Sequence, residues 1–422
     1  MTKKRKHLLD GITVLDLTQH VAGPSCTRMM AEMGAEIIKV ELAPYGEQIR
    51  NMGYQKGGRG IYFLQQNRGK KSLCIDAKTE EGKKILHGLI KKVDVLIENF
   101  APGVISRLGC SWEVVHELNP ECIMCSISTF GQTGPLSELP GFDYIGQSYA
   151  GITGLIGDPD KAPSIPAAAL GDTMTGAHAL AAINAALFHR AMGGEAEFID
   201  VTLLDSYFHC HEMYVGYYSA SDGKLAPKRP GSHHRLGCPM GIFNGKEGYI
   251  TIIATPPQWE RMCDVMEMPE LKTDPRFAAP NDRIRRRREL IPIIEEWLQS
   301  HDSDAAAIAK LEAARIPVAP VLSVPEAMEH PHLVERGTVR TVTQRGAGTF
   351  KMPGMPLRFA GYPSENELEA PYKGEHNSEV LEKFLDYSPQ QIADLVASGV
   401  LVDEDIPESV AEPETEPGAK KG

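Results

Sequence analysis

The sequence predicts an α/β fold class, with a parallel sheet in a large domain and a smaller α+β domain beside it. Buried-strand patterns alternate with helical patterns between residues 12 and 201. Such strand–helix–strand alternation favours a parallel sheet with right-handed crossovers. The composition then changes near Ser221, where the Gly- and Pro-containing stretch 222–231 indicates a linker.

Strands are predicted from short apolar runs, and helices from apolar residues at helical spacing. Strands are expected over residues 12–17, 36–41, 72–75, 93–98, 122–127 and 198–201. Helices are expected after the 19–25 turn through Met33, from Thr79, around Trp112, from Asp172 to Gly193, and as one long helix over 203–219. In the smaller domain we expect a hairpin over residues 240–254, followed by helical patterns up to about Ala314.

Length and composition restrict the possible functions. The chain has 422 residues, of which 42% are hydrophobic, and a formal net charge of -12. An acidic chain is a poor binder of nucleic-acid backbones. No apolar run approaches the roughly 18 residues that would span a membrane, and the basic start of the chain lacks the apolar core of a signal peptide. We therefore expect a cytoplasmic enzyme with neither a nucleic-acid nor a membrane partner.

Cysteine and histidine spacing gives no support for a metal site. The 8 cysteines are scattered, which favours reduced thiols over a disulfide framework. Cys122 and Cys125 have CxxC spacing but lie in an apolar strand pattern, which predicts buried structural residues. His209 and His211 fall two positions apart in a predicted helix, where they do not share a face. We expect no metal ligands.

The strongest catalytic candidate is Asp172. Three of the four residues before it are small, namely Ala168, Ala169 and Gly171, and an alanine-rich helix pattern follows. A large substrate can approach a carboxylate with so little bulk beside it, and the helix N-terminus is expected to keep it ionised. This environment suits a nucleophile. The alternative is an ordinary N-cap, a position where Asp is favoured whatever the function.

Two further features suit an anionic ligand. The turn 19–24 leads from the first strand into a helix and can present backbone N–H groups to a phosphate or thioester. It lacks a GxGxxG pattern, which disfavours a nicotinamide dehydrogenase. Arg68, Lys70 and Lys71, and separately Arg107, lie near predicted strand ends, where cations suit nucleotide phosphates. The alternative for these residues is solvated surface charge.

The chain resembles the class III (family III) CoA-transferases, the group that includes formyl-CoA:oxalate CoA-transferase and the carnitine and bile-acid CoA-transferases. The resemblance extends from Leu9 to about Leu401 and rests on separate segments in a fixed order. These segments are LDGITVLD at 9–16, AGP at 22–24, GAEIIKVE at 34–41, NRGKKS at 67–72, ENF at 98–100, GFDY at 141–144, GD at 171–172, GYI at 248–250 and GEH at 374–376.

The resemblance implies a Rossmann-like large domain built from both chain ends, with the small domain between them, in an interlocked homodimer. The expected large CoA-binding domain comprises residues 1–220 and 326–401. The expected small domain comprises 221–325, and the Asp-, Glu- and Pro-rich residues 402–422 are expected to be a disordered tail.

The resemblance also implies coenzyme A and acyl-CoA as substrates, with no permanently bound cofactor, and a carboxylic acid as acceptor. It implies that Asp172 is the catalytic carboxylate. The implied CoA contacts are Val21, Ala22, Lys78, Asn99, Phe100 and Arg107. Acceptor contacts are expected at Phe142, Tyr144, His233 and His234.

Departures from the family pattern argue against the formyl-CoA:oxalate reaction and against racemase activity. Leu42 stands where formyl-CoA transferase has an arginine on the adenine, and residues 231–238 replace its glycine-rich loop, so formyl-CoA:oxalate transfer is not expected. An α-methylacyl-CoA racemase is one alternative, but it would need a histidine where this chain has Phe142, and Phe is neither acid nor base. A non-catalytic CoA-binding subunit is the other, and the retained Asp172 argues against it.

Overall fold

The structure is a computed structural model that describes residues 7–362 and 368–406. The chain divides into two compact units. The first contains the residues up to Ala150, Pro166–His211 and the residues from Pro331 onward, and the second contains Gly151–Ile165 and Glu212–His330. In the expected tail, the Val402 N–H donates to the Cys74 carbonyl at 3.1 Å, while residues 407–422 lie outside the described residues.

Strands and helices alternate through the first part of the chain, as predicted. The strands are β1 (Thr13–Asp16), β2 (Glu36–Leu42), β3 (Gln55–Lys56), β4 (Arg59–Gly60), β5 (Lys70–Ile75), β6 (Val95–Glu98), β7 (Ile123–Ser128), β8 (Phe198–Thr202), β9 (Met240–Asn244), β10 (Tyr249–Ile253), β11 (Val318–Pro320), β12 (Val339–Gln344) and β13 (Gly348–Pro353). The helices are α1 (Ala22–Glu32), α2 (Ile61–Asn67), α3 (Glu80–Ile90), α4 (Val104–Arg107), α5 (Trp112–Leu118), α6 (Asp143–Tyr149), α7 (Leu170–Ala191), α8 (Leu203–Phe208), α9 (Tyr214–Ala220), α10 (Pro256–Val265), α11 (Pro280–Arg285), α12 (Arg287–Gln299), α13 (Asp304–Ala313), α14 (Val324–Glu329), α15 (Pro331–Glu335), α16 (Asn377–Leu385) and α17 (Pro389–Ala397).

A six-stranded parallel sheet forms the centre of the first unit, which confirms the predicted fold class. The strand order is β5-β2-β1-β6-β7-β8, and every neighbouring pair is parallel. Counted along these six strands alone, the order is 3-2-1-4-5-6, the Rossmann order. The direction of winding reverses between β1 and β6. Loops that leave these two strands therefore diverge, and a crevice opens at their carboxyl ends.

Helices cover both faces of this sheet because its strands are apolar on both sides. On one face, Leu15 and Ile38 pack in a cluster with residues of α3, α5, α16 and α17. On the other face, Val14 and Ile37 pack with residues of α1 and α7. The end of the chain also pairs with the edge strand, where Leu401 forms an antiparallel bridge with Ile75. Both ends of the chain therefore contribute to the first unit, although all six strands come from its first half.

The second unit contains the antiparallel sheet β9-β10-β11. Its hairpin confirms the prediction for residues 240–254, with Asn244 opposite Tyr249. The single long helix predicted over 203–219 is wrong, because α8 ends at Phe208 and α9 begins at Tyr214. The chain passes from the first unit to the second directly after His211, and the ring Nε2 of His211 lies 2.7 Å from the carbonyl of Ala150. The helix predicted over 203–219 is therefore interrupted where the chain passes from one unit to the other.

Two of the basic residues near the strand ends, Arg68 and Lys70, pair with carboxylates inside the protein. Lys70 Nζ lies 3.0 Å from Asp16 Oδ2, and both side chains are fully buried. Arg68 pairs with Glu32 at 2.8 Å, again with both side chains buried. Lys71 pairs at 2.7 Å with the partly exposed Glu36. Phosphate binding and solvated surface charge are therefore both wrong for Arg68 and Lys70, which neutralise buried acids.

We expect Asp16→Ala to lower the free energy of unfolding by about 3–5 kcal/mol, because it leaves the buried Lys70 ammonium without its carboxylate. Urea denaturation measures this change. Glu80→Ala is the matched control, since Glu80 forms an exposed ion pair with Lys83, and exposed pairs of this kind contribute little to stability. Equal effects of the two substitutions would contradict a structural role for the buried pair.

Candidate active site

A cavity of about 360 Å³ opens where the winding direction of the sheet reverses. Its wall combines the loops that follow β1, β6 and β7 with the N-terminus of α7, all within the first unit. The lining residues include Gln19, His20, Val21, Ala22, Asn99, Phe100, Phe142 and Asp172. Crevices at such reversal points are the usual ligand sites of open α/β sheets.

Six of the residues singled out from the sequence share this cavity, namely Val21, Ala22, Asn99, Phe100, Phe142 and Asp172. Three others in the first unit are outside its lining. Lys78 is exposed in the turn after β5, and Arg107 is exposed at the end of α4. The Tyr144 hydroxyl donates to the Pro166 carbonyl at 2.7 Å.

The two remaining candidates, His233 and His234, belong to the second unit. The ring of His233 lies 4.9 Å from that of Phe243, nearly edge to face. Burial lowers the pKa of this imidazole.

Asn99 joins the loops on the two sides of the crevice. Its Oδ1 accepts the Gln19 N–H at 2.7 Å, and its Nδ2 donates to the Gln19 carbonyl at 2.8 Å. Both polar groups of this side chain are therefore engaged with backbone. Asn99 fixes the spacing between the loop after β1 and the loop after β6.

A buried ion pair supports the loop after β1. His20 adopts a left-handed conformation with φ of 64°, which is uncommon for residues other than glycine. Its backbone N–H donates to Glu47 Oε1 at 2.6 Å, and Glu47 pairs with the fully buried Lys39. Lys39 also donates to the Thr18 carbonyl at 2.8 Å. These contacts hold the backbone from Thr18 to His20 in place.

Asp172 is the third residue of α7, and a hydrogen-bonded group of side chains fixes its backbone. Its N–H donates to Asp143 Oδ2 at 3.2 Å. The Gly171 N–H donates to the Tyr207 hydroxyl at 2.9 Å, as does Gln147 Nε2 at 3.0 Å. The Tyr207 hydroxyl in turn donates to the other oxygen of Asp143. We call Asp143, Gln147 and Tyr207 the α7 clamp.

Two glycines allow α7 to approach its neighbours. A Cβ on Gly171 would lie 2.1 Å from a ring carbon of Tyr207, so no other residue fits against the α7 clamp. A Cβ on Gly176 would lie 2.2 Å from Ser25 Oγ and 2.6 Å from the Ala22 carbonyl. Gly171, one of the small residues before Asp172, therefore serves close packing as well as access.

The surroundings of Asp172 disfavour its charge. Burial, and then the negative charge of Asp143, raise the pKa of Asp172 to about 7. The expectation that the helix N-terminus keeps this carboxyl fully ionised is therefore wrong, because the two opposing effects are larger. Near neutral pH, both forms are present in comparable amounts. A carboxylate of raised pKa is also a stronger base and nucleophile than an ordinary one.

Several residues of the site were missed in the sequence. Asp143 lies in the GFDY segment, where the sequence points only to its neighbours Phe142 and Tyr144. Gln147 and Tyr207 lie in ordinary helical patterns, where the sequence gives no signal for them. Tyr62 on α2 was also missed, and burial together with the charge of Asp172 raises the pKa of its phenol.

The described residues also show how the cysteines and the acidic and histidine side chains are arranged elsewhere. Within residues 7–362 and 368–406, no group of three or more His, Cys, Asp or Glu side chains could hold a metal ion. Cys122 and Cys125 are buried free thiols, as predicted. None of the described helices combines the length and the apolar character needed to cross a bilayer.

Comparison with known proteins identifies the family. The sequence model of CoA-transferase family III matches residues 9–377. The chain belongs to CoA-transferase family III. Similar proteins include the succinyl-CoA:glutarate CoA-transferase of Homo sapiens, 31% identical over 395 residues that cover 93% of this chain and 90% of the relative. The formyl-CoA:oxalate CoA-transferase of Bradyrhizobium diazoefficiens is 33% identical over 415 residues, covering 93% and 97%.

Solved structures agree with this assignment. A CAIB/BAIF family protein from Brucella suis superposes with a TM-score of 0.80 at 30% identity, covering 90% of this chain and all of that one. Membership of family III makes the protein an enzyme that transfers CoA to carboxylates. Acyl-CoA and carboxylic acids are accordingly its substrate classes.

We expect Asp172→Asn to stabilise the fold at alkaline pH. Because the folded protein raises the pKa of this carboxyl to about 7, from about 4 in an unfolded chain, the wild type loses stability as pH rises between these values. At pH 8 the variant should exceed the wild type by about 1–3 kcal/mol, and at pH 4 the two should match. Urea denaturation at both pH values measures this, and a pH-independent difference would contradict it.

Proposed function

We propose that the enzyme transfers CoA between two carboxylic acids through covalent intermediates on Asp172. One observation supports this above the others. The Asp172 carboxyl lines the cavity, its backbone is fixed by the α7 clamp, and no cation among the described residues pairs with it. A carboxylate so placed is free to attack an electrophile bound in the cavity.

The proposed reaction has four steps, in which carboxylates and the CoA thiolate displace one another at acyl carbons. The Asp172 carboxylate attacks the thioester carbonyl of the donor and the C–S bond breaks. CoA thiolate departs, and the acyl group stays on Asp172 as a mixed anhydride. The thiolate attacks the Asp172 acyl carbon, which releases the donor acid and forms an aspartyl-CoA thioester. The acceptor carboxylate then displaces CoA to form a second anhydride. Thiolate attack on the acceptor acyl carbon gives the new thioester and restores Asp172.

Covalent catalysis conserves the thioester energy without ATP, but water must be excluded from both intermediates. Developing oxyanions need hydrogen-bond donors. The first N–H groups of α1 have no partner within their own helix, and Ala22 lines the cavity. Gly23 beside it has no room for a side chain, since a Cβ would lie 2.2 Å from the Thr18 side chain. The start of α1 is the donor set that we propose.

The identity of the acyl-CoA donor is the next point to test. Succinyl-CoA and acetyl-CoA are the donors that we propose to assay first. Leu42 is half-buried against the core, so it offers no cation to an adenine ring. We therefore do not assign the formyl-CoA:oxalate reaction of the bacterial relatives to this chain.

We expect Asp172→Ala to lower kcat/KM for CoA transfer by at least ~10³-fold, because it removes the carrier carboxylate. Mass spectrometry of the wild type incubated with donor alone should locate a CoA adduct on Asp172. Glu113→Gln, at an exposed position on α5, is the control.

Full transfer activity in Asp172→Ala would refute the mechanism. Solvent deuterium at the acyl α-carbon without any acceptor would instead indicate a racemase. Phe142, which lines the cavity and is 70% exposed, offers no acid or base for that reaction.

The pH dependence tests the influence of Asp143. Because the attacking group is the ionised carboxylate, kcat/KM should rise with pH and level off above the Asp172 pKa of about 7. Asp143→Asn removes a negative charge that raises this pKa, so the midpoint of the profile should move to lower pH. Profiles of kcat/KM from pH 5 to 9 measure the shift. A midpoint that stays in place or rises would contradict the assigned influence.

A further inference from the structure

We propose that His20 binds a second carboxylate on the acceptor acid, so that the enzyme selects dicarboxylic over monocarboxylic acids. This inference rests on the proposed function, because it assumes that the acceptor's reacting carboxylate meets Asp172 in the same cavity. In this arrangement, the His20 side chain binds the carboxylate at the end of the acid that does not react.

The charges of the cavity support this assignment. Among the described residues that line it, none is a lysine or an arginine. Within the described part of the lining, His20 is the only side chain that can carry a positive charge, and Asp172 is the only acidic one. When the acceptor enters, Asp172 is held as the CoA thioester, and the negative charge of Asp143 behind it repels an acid that enters as a dianion. A donor that compensates for the second negative charge must therefore come from His20 or from neutral groups.

The ring of His20 is available for a ligand. No hydrogen bond to either of its nitrogens occurs within residues 7–362 and 368–406. Two histidines elsewhere in the first unit have ring partners, His178 at 3.0 Å from Ser206 Oγ and His87 at 2.8 Å from the Gly109 carbonyl. Imidazole carries at least one N–H donor in either protonation state. His20 thus presents an unused donor in a cavity that receives carboxylates.

The backbone that carries the ring is held before any substrate binds. The backbone N–H of His20 is held by Glu47, in the left-handed conformation described above. The ring lies edge-on to Phe142, with centroids 6.1 Å apart and planes at 86°. Backbone strain maintained by a buried ion pair is typical of functional positions. A pre-positioned donor also gains affinity because little motion is lost on binding.

The test compares two acids of equal chain length, glutarate and pentanoate, which differ by one carboxylate. Dissociation constants for the CoA-saturated protein are measured by calorimetry, and kcat/KM with acetyl-CoA as donor is measured alongside. We expect the wild type to favour glutarate by at least tenfold. His20→Asn should reduce this ratio to within twofold, since Asn tolerates the left-handed backbone but lacks the imidazole. His20→Asp, which also tolerates it, should reverse the preference.

His116→Gln is the matched control, because His116 is an exposed histidine on α5 that does not line the cavity. Its ratio should equal that of the wild type. A wild type without preference, an unchanged ratio in His20→Asn, or no detectable binding of either acid would overturn the inference. If His20→Asn weakened the binding of CoA and left the preference for glutarate over pentanoate unchanged, the inference would also fail, because His20 would then contact the coenzyme.

Failure of this inference can be separated from failure of the proposed function. If donor acyl-CoA forms the adduct on Asp172 in both wild type and His20→Asn while the acid preference is unchanged, only the role of His20 is refuted. If the wild type forms no adduct at all, the covalent mechanism is refuted as well.

Discussion

The carboxylate of Asp143 is the group on which the site depends. One of its oxygens accepts the Asp172 N–H and the other accepts the Tyr207 hydroxyl, so it fixes the first turn of α7. The same negative charge contributes to the raised pKa of Asp172. Position and protonation of the proposed nucleophile are therefore coupled through a single side chain. A change at Asp143 cannot alter one property without affecting the other.

The remaining walls of the cavity are also set by buried polar groups. The sheet order provides the crevice, but it does not determine where the loops lie within it. Lys39 and Glu47 support the loop after β1 from below, and Asn99 ties that loop to the one after β6. Such groups fix geometry more sharply than apolar packing does, because hydrogen bonds are directional. The fold thus uses buried charge to position backbone around a substrate.

The sheet, its class and the prominence of Asp172 could be predicted because each depends on local patterns of the sequence. The α7 clamp could not, since Asp143 lies 29 residues from Asp172 and 64 from Tyr207 along the chain. Arg68 and Lys70 were misjudged for the same reason, as their partner acids are remote in sequence. The break in the helix predicted over 203–219 depends on where the chain leaves one unit for the other. The interlocked homodimer stays a prediction.

The raised pKa of Asp172 has a consequence for the direction in which a mixed anhydride opens. Each anhydride has two acyl carbons, and attack by thiolate expels the carboxylate that is the better leaving group. Ordinary carboxylic acids have pKa values of about 4, whereas that of Asp172 is about 7. In the proposed sequence, attack at the Asp172 carbon expels the weaker base, and attack at the substrate carbon must expel the stronger one. Under the proposed mechanism, the partition therefore favours the aspartyl-CoA thioester, and this is the intermediate that we expect to accumulate before the next acid binds.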